Sequence, residues 1–205
     1  YLLLEGLRPE TVIKTGSPMK EVLTYYRPAI DASDVLERME LTPRGYFVVS
    51  AHREENIDNE RNFQDFLDTL ATIARRYERT LIVSTHPRTK KRLESLGFSG
   101  IDERVRFLKP LGLIDYVKLQ MNAFCVVSDS GTITEESSIL DFPAVTIRQA
   151  HERAEGMDVG TLVMCGLKAE GVMKAIDVVT SQSSTDRRSF SLVSDYDVDN
   201  VSQKV

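Results

Sequence analysis

Two short apolar runs constrain this chain more than anything else in it. Tyr46-Phe47-Val48-Val49-Ser50-Ala51 and Thr80-Leu81-Ile82-Val83-Ser84-Thr85 are far shorter than the roughly 18 residues of a membrane span. They also lack the polar alternation of a strand with one face in water, so they belong in a sheet covered on both sides. Between them, Phe63, Phe66, Leu67, Leu70, Ile73, Ala74 and Tyr77 fall at the i, i+3, i+4, i+7 spacing of one helix face. A basic helix from Arg88 to Leu96 follows the second run, with Gly97 just past its end. The alternation continues with strands at 105–108, 124–127, 143–147 and 162–165, and helices at 113–121, 132–140 and 168–179. Strands alternating with helices predict an α/β fold with a doubly wound parallel sheet.

Residues 46–205 are expected to form one Rossmann-like domain, with residues 1–45 as an interdomain segment. That segment carries a short strand at Val12-Ile13-Lys14 and helical stretches near 19–26 and 33–39. Residues 199–205 resemble the first turn of a helix. With no initiator Met, the chain reads as a piece of a longer protein.

Composition narrows the function classes. Lys and Arg number 26 against 31 Asp and Glu, a net charge of −5, whereas a nucleic-acid binder needs a basic face to neutralise phosphates. The two cysteines, Cys125 and Cys165, each sit inside an apolar run and read as reduced core thiols of a cytoplasmic protein. With three histidines and no cysteine pair at ligand spacing, neither a metal site nor a membrane role is expected.

In open parallel sheets, ligands bind beyond the carboxyl ends of the strands. All three histidines follow strands: His52, His86 and His151. His86 equally suits a His-Pro turn. The segment Ser128-Asp129-Ser130-Gly131-Thr132-Ile133-Thr134-Glu135-Glu136 joins a buried strand to a helix. Two readings of it stand side by side. Small residues admit a phosphate to the backbone N–H groups at a helix N-terminus, where the dipole favours an anion. Ser/Thr capping with acidic first-turn residues explains the same composition without a ligand. Glu136 is a candidate for ribose hydroxyls, or for dipole compensation alone. Arg148, with His151, Glu152, Arg153 and Glu155, forms a charged cluster after a strand, and guanidinium groups suit phosphate. His52-Arg53-Glu54-Glu55-Asn56 is a similar cluster. Each is also explained as a solvated loop.

Taken together, Ser50-Ala51-His52-Arg53-Glu54-Glu55-Asn56, His86-Pro87, Ser128-Asp129-Ser130-Gly131 with Glu135-Glu136, and Arg148 with Glu152-Arg153 have the order and spacing of another group of proteins. They resemble the non-hydrolysing UDP-N-acetylglucosamine 2-epimerases, from about Lys14 to Leu167. The resemblance implies the C-terminal, nucleotide-binding half of a two-domain glycosyltransferase-B fold. The forms of the first and last motifs resemble a branch interconverting UDP-2-acetamido-2,6-dideoxy-L-talose with its L-fuco epimer for surface polysaccharide. Two residues depart from the pattern: Thr132 stands where a second glycine is usual, and Ala154 where a proline is usual.

The resemblance assigns UDP contacts to His52, Tyr116, Ser130, Gly131, Thr132, Glu136 and Arg148. His52 and Arg148 would meet phosphates, Glu136 the ribose, and Tyr116 the uracil. His52 is also the one catalytic candidate. Arg53, Glu55, Asn56, His86, Asp129, Glu135, Glu152 and Arg153 would support them. No cofactor and no metal are implied, the partner is a UDP-sugar, and the full-length protein is expected to be a homodimer. The carboxylates that move the C2 proton would lie in the other half. Two rivals are a UDP-sugar glycosyltransferase of the same fold and a nucleotide-binding module without chemistry.

Overall fold

The computed structural model describes residues 2–95, 100–148, 162–183 and 188–205. Six parallel strands form one sheet: β1 (Tyr46–Ser50), β2 (Thr80–Ser84), β3 (Val105–Leu108), β4 (Cys125–Ser128), β5 (Ala144–Thr146) and β6 (Val163–Met164). Their order is β3-β2-β1-β4-β5-β6. The chain winds outward from β1 through β2 to β3, then crosses back to lay β4 on the other side of β1. Loops leaving β1 and β4 therefore diverge at the carboxyl edge and leave a crevice there.

Both faces of the sheet are covered, as the uniformly apolar strands require. On one face, Phe47, Val49, Leu81, Val83, Cys125 and Val127 pack against α4 (Glu60–Tyr77) and α8 (Ala169–Gln182). Asn59 caps α4 by accepting the Asn62 amide at 3.0 Å. On the other, Tyr46, Val48, Ile82, Val126 and Ala144 pack against α2 (Val35–Arg38), α6 (Leu113–Asn122) and α7 (Ile133–Leu140). The Tyr46 hydroxyl donates to the Leu119 carbonyl at 2.8 Å, which satisfies the one polar atom that this large buried ring carries. Cys125 and Cys165 are both free thiols. No described helix is long and apolar enough to cross a membrane.

The first 45 residues differ from expectation. Val12-Ile13-Lys14 forms no strand: a 3-10 turn at Pro9–Thr11 precedes it, and Ile13 is 78% exposed. The segment is tied instead to the C-terminal stretch, where the Ser17 amide donates to the Asp195 carbonyl at 3.1 Å. Helix α1 (Met19–Asp31) continues through Pro28 and packs Leu23 and Ile30 against Val117 of α6. The helix expected near 33–39 is the single turn α2. Gly97, and the whole segment 149–161 with His151, Glu152, Arg153 and Ala154, lie outside the described residues.

Candidate functional site

Strand register places hydroxyls in a row along the carboxyl edge. Ser50 pairs with Ser84 on one side and Ser128 on the other, and Ser128 pairs with Thr146. By strand alternation all four point to the face covered by α6 and α7. Ser84, Ser50 and Ser128 form the floor of a cavity of about 160 Å³, whose walls are Leu111, Tyr116, His52, Ser130, Thr132 and Glu136. These serines carry no site role on the sequence alone, although each ends an apolar run with a small polar residue.

The cavity's rim is built by Asp129. Its amide donates to the Ser50 carbonyl at 3.0 Å, extending the β1–β4 ladder by one step. Its carboxylate, wholly buried, accepts from the His52 amide at 3.0 Å, the Arg53 amide at 2.9 Å and Asn56 Nδ2 at 3.0 Å. His52 Nδ1 lies 3.1 Å from the same carboxylate, and Arg53 Nε donates to the Asp129 carbonyl at 2.9 Å. Burial pushes the Asp129 carboxyl up, but the bonds from His52 and Arg53 outweigh it and hold it below the ordinary carboxylate value. The same contact raises the His52 imidazole above its ordinary value against the opposing effect of desolvation. The expected support roles of Arg53, Asn56 and Asp129 thus become one clip joining two loops and the short helix α3 (Glu54–Ile57).

Glu136 stands one turn into α7 and accepts from Gln120 Nε2 at 2.7 Å. Gln120 is fully buried in α6, so it aims the carboxylate at the cavity; a polar residue on an otherwise apolar helix face was its only trace in the sequence. Tyr116, also on α6, is bonded to Ser50; burial and then the charge of Glu136 push its phenol up. Ser130 and Thr132 share a hydroxyl contact at 3.0 Å, and the Ser130 amide donates to Ser128 Oγ at 3.1 Å. Ahead of α7 the Ser130 hydroxyl accepts the Thr132 amide at 3.4 Å, while the Thr132 side chain itself makes no capping bond. Thr132 is helical (φ −71°, ψ −17°), a conformation that needs no glycine.

Other expected site residues lie apart. His86 is exposed, and its Nδ1 accepts the Arg88 amide at 3.3 Å. It therefore caps α5 (Pro87–Ser95), with Pro87 at the first helical position, and does not line the cavity. Glu55 is exposed on α3, outside the cavity wall. Glu135 is buried and accepts from Ser17 Oγ at 2.6 Å, which ties the N-terminal segment to α7. Arg148 is 5% exposed just past β5, at the same end of the sheet but outside the cavity wall. Among the described residues, no three His, Cys, Asp or Glu side chains converge as metal ligands.

The chain is similar to several known proteins. It aligns over its whole length with a structure of UDP-N-acetylglucosamine 2-epimerase from Rickettsia bellii, at 49% identity and a TM-score of 0.91, covering 54% of that chain. It also aligns with the Methanocaldococcus jannaschii UDP-GlcNAc 2-epimerase solved in complex with UDP-GlcNAc and UDP. There the TM-score is 0.82 and the identity 26%, over 94% of this chain and 53% of that one. By sequence, a UDP-N-acetylglucosamine 2-epimerase of that same organism is 31% identical over 148 residues, 71% of this chain and 40% of the relative. The chain spans about half the length of these relatives. The family profile described as UDP-N-acetylglucosamine 2-epimerase matches residues 1–205, and the chain belongs to that family.

Proposed function

We propose that this chain is the nucleotide-holding half of a UDP-N-acetylamino-sugar 2-epimerase. The observation that carries it is the N-terminal turn of α7 beside a cavity walled by His52, Tyr116 and Glu136, at the point where the strand order reverses. The pyrophosphate would sit on the loop Ser130-Gly131-Thr132, with His52 and Arg148 as cationic contacts. The ribose would meet Glu136, and the base would lie by Tyr116 over the serine floor. A relative solved with UDP-GlcNAc and UDP supports this class of ligand.

The reaction would break the C1–O bond of the sugar. UDP leaves with the bonding pair as the C2 proton is removed, giving a glycal-type alkene; reprotonation on the other face and re-addition of UDP complete the inversion. The residues here would steady the departing pyrophosphate. The acid and base at C2 would come from outside these 205 residues. The sugar is proposed to be UDP-GlcNAc and its ManNAc epimer, or the 6-deoxy-L-talose and L-fuco pair, made for surface polysaccharide.

Calorimetry tests the nucleotide site: Gly131→Leu is expected to abolish measurable UDP binding, and unchanged affinity would remove the loop assignment. NMR tests the division of labour. The 205-residue chain, incubated with UDP-GlcNAc in D₂O, is expected to leave C2 unexchanged. Deuterium entering at the rate seen with a full-length relative would place the proton-transfer groups within this chain.

A further inference from the structure

The Asp129 carboxylate does more than join two loops. Three of its contacts are to groups with no titratable proton: the His52 and Arg53 amides and the Asn56 amide. These alone would hold the loops together. The fourth is to His52 Nδ1, the ring nitrogen on the far side from Nε2. His52 itself is 46% exposed and lines the cavity. A buried anion thus stands behind a half-open imidazole, an arrangement that fixes which ring nitrogen faces the ligand.

We infer that Asp129 is a positioning residue: by accepting Nδ1–H of His52, it presents Nε2–H as a donor to the pyrophosphate of the bound nucleotide. The inference rests on the reading of this cavity as the UDP site. In its protonated form His52 would then be a hydrogen-bonding cation toward the leaving group, and a ring protonated on both nitrogens accepts no proton from C2. The charged groups around His52 are consistent with this role. Asp129 faces it from the β4 loop, and Arg53 sits beside it on its own loop, opposing the charge. Glu136 of α7 and Tyr116 of α6 face it across the cavity, and Glu54 and Glu55 share its outer flank. The buried counter-charge against His52 is Asp129, while Arg53 turns its Nε to the Asp129 carbonyl.

The probe is UDP-GlcNAc, compared with uridine. Its pyrophosphate is a diester with no proton to lose near neutral pH, so a pH dependence of its affinity belongs to the protein. In the wild-type chain, the ratio of UDP-GlcNAc to uridine affinity is expected to be flat at low pH. It then falls roughly tenfold or more as pH rises through the His52 transition, above the ordinary histidine value of 6.5. In Asp129→Asn the transition moves down to or below 6.5, while in Asp129→Glu it stays above. A merely structural role would weaken both variants without moving the transition. Nitrogen NMR of His52 in the unaltered chain gives the same answer without a variant that must fold: Nδ1 is expected to keep its proton throughout, while Nε2 loses its own only above the ordinary histidine value of 6.5. A transition that is the same in wild type and Asp129→Asn, or an Nδ1 that is unprotonated near neutral pH, would overturn the inference and leave the nucleotide site standing. UDP-GlcNAc that binds at no pH would overturn both.

Discussion

His52 and His86 occupy equivalent places and do different things. Each stands two residues beyond a strand-ending serine, Ser50 or Ser84, and those serines are paired across β1 and β2. His52 is held from behind by a buried carboxylate and lines the cavity; His86 caps a helix and faces solvent. The difference comes from the next strand over. β1 has β4 at its side, which brings Asp129 within reach of the loop. β2 has β3, whose exit runs Lys109-Pro110 and offers no carboxylate. A position at a strand exit makes a histidine available, and a neighbouring buried anion fixes it at the cavity wall.

The largest expected effect comes from removing that anion. Asp129→Ala leaves the His52 and Arg53 amides and the Asn56 side chain without their acceptor, and is expected to destabilise the chain by about 3–5 kcal/mol. Denaturant melting checks this; a loss below about 1 kcal/mol would mean that the clip does not hold the two loops together.

Next is ligand affinity. His52→Ala and Arg148→Ala are each expected to weaken UDP by about 1.5–3 kcal/mol while sparing uridine, since a charge-assisted contact to phosphate is lost. Equal losses for uridine would show that neither cation meets phosphate. His86→Ala should leave UDP affinity unchanged, and a loss matching that of His52→Ala would erase the contrast between the two histidines.

The pH dependence of stability is smaller. His52 is raised in the folded chain, so its contribution is complete below the ordinary value of 6.5 and disappears as pH rises through the raised one. Asp129 is lowered, so its contribution is complete above 3.8 and is lost as pH falls through the lowered value. The melting-temperature gap between wild type and His52→Ala should be widest between 3.8 and 6.5. With His52 about half exposed, it corresponds to less than about 1 kcal/mol. A gap that widens above 6.5 would reverse the sign and exclude the ion pair. The smallest effect is on His86, where loss of the cap in His86→Ala costs at most about 1 kcal/mol.

Much of this molecule was legible from local pattern. The apolar runs at 46–51 and 80–85 and the spaced face of α4 are properties of neighbouring residues, because side-chain burial repeats with the geometry of a strand or a helix. The loop at 128–136 showed its strand-to-helix junction in the same way, and His52, Tyr116, Ser130, Thr132 and Glu136 do meet around one cavity. Local pattern misled at Val12-Ile13-Lys14, where β-branched residues suggested a strand but the segment lies exposed and tied to Asp195. It marked His86 as equally suited to a His-Pro turn, but it did not show the carboxylate behind His52.

What the sequence determined by itself is therefore the set of elements and the motifs on them. Which of those motifs touch is settled by the folded sheet. The bond from the His52 amide to Asp129 joins residues 77 apart, and the bond from Gln120 to Glu136 joins two helices on one face of the sheet. The serine row exists only because β1 lies between β2 and β4 in register. Periodicity records how a residue meets solvent, and solvent is the same everywhere along the chain. A hydrogen bond between distant residues depends on strand order and register, which are settled by the packing of the whole sheet.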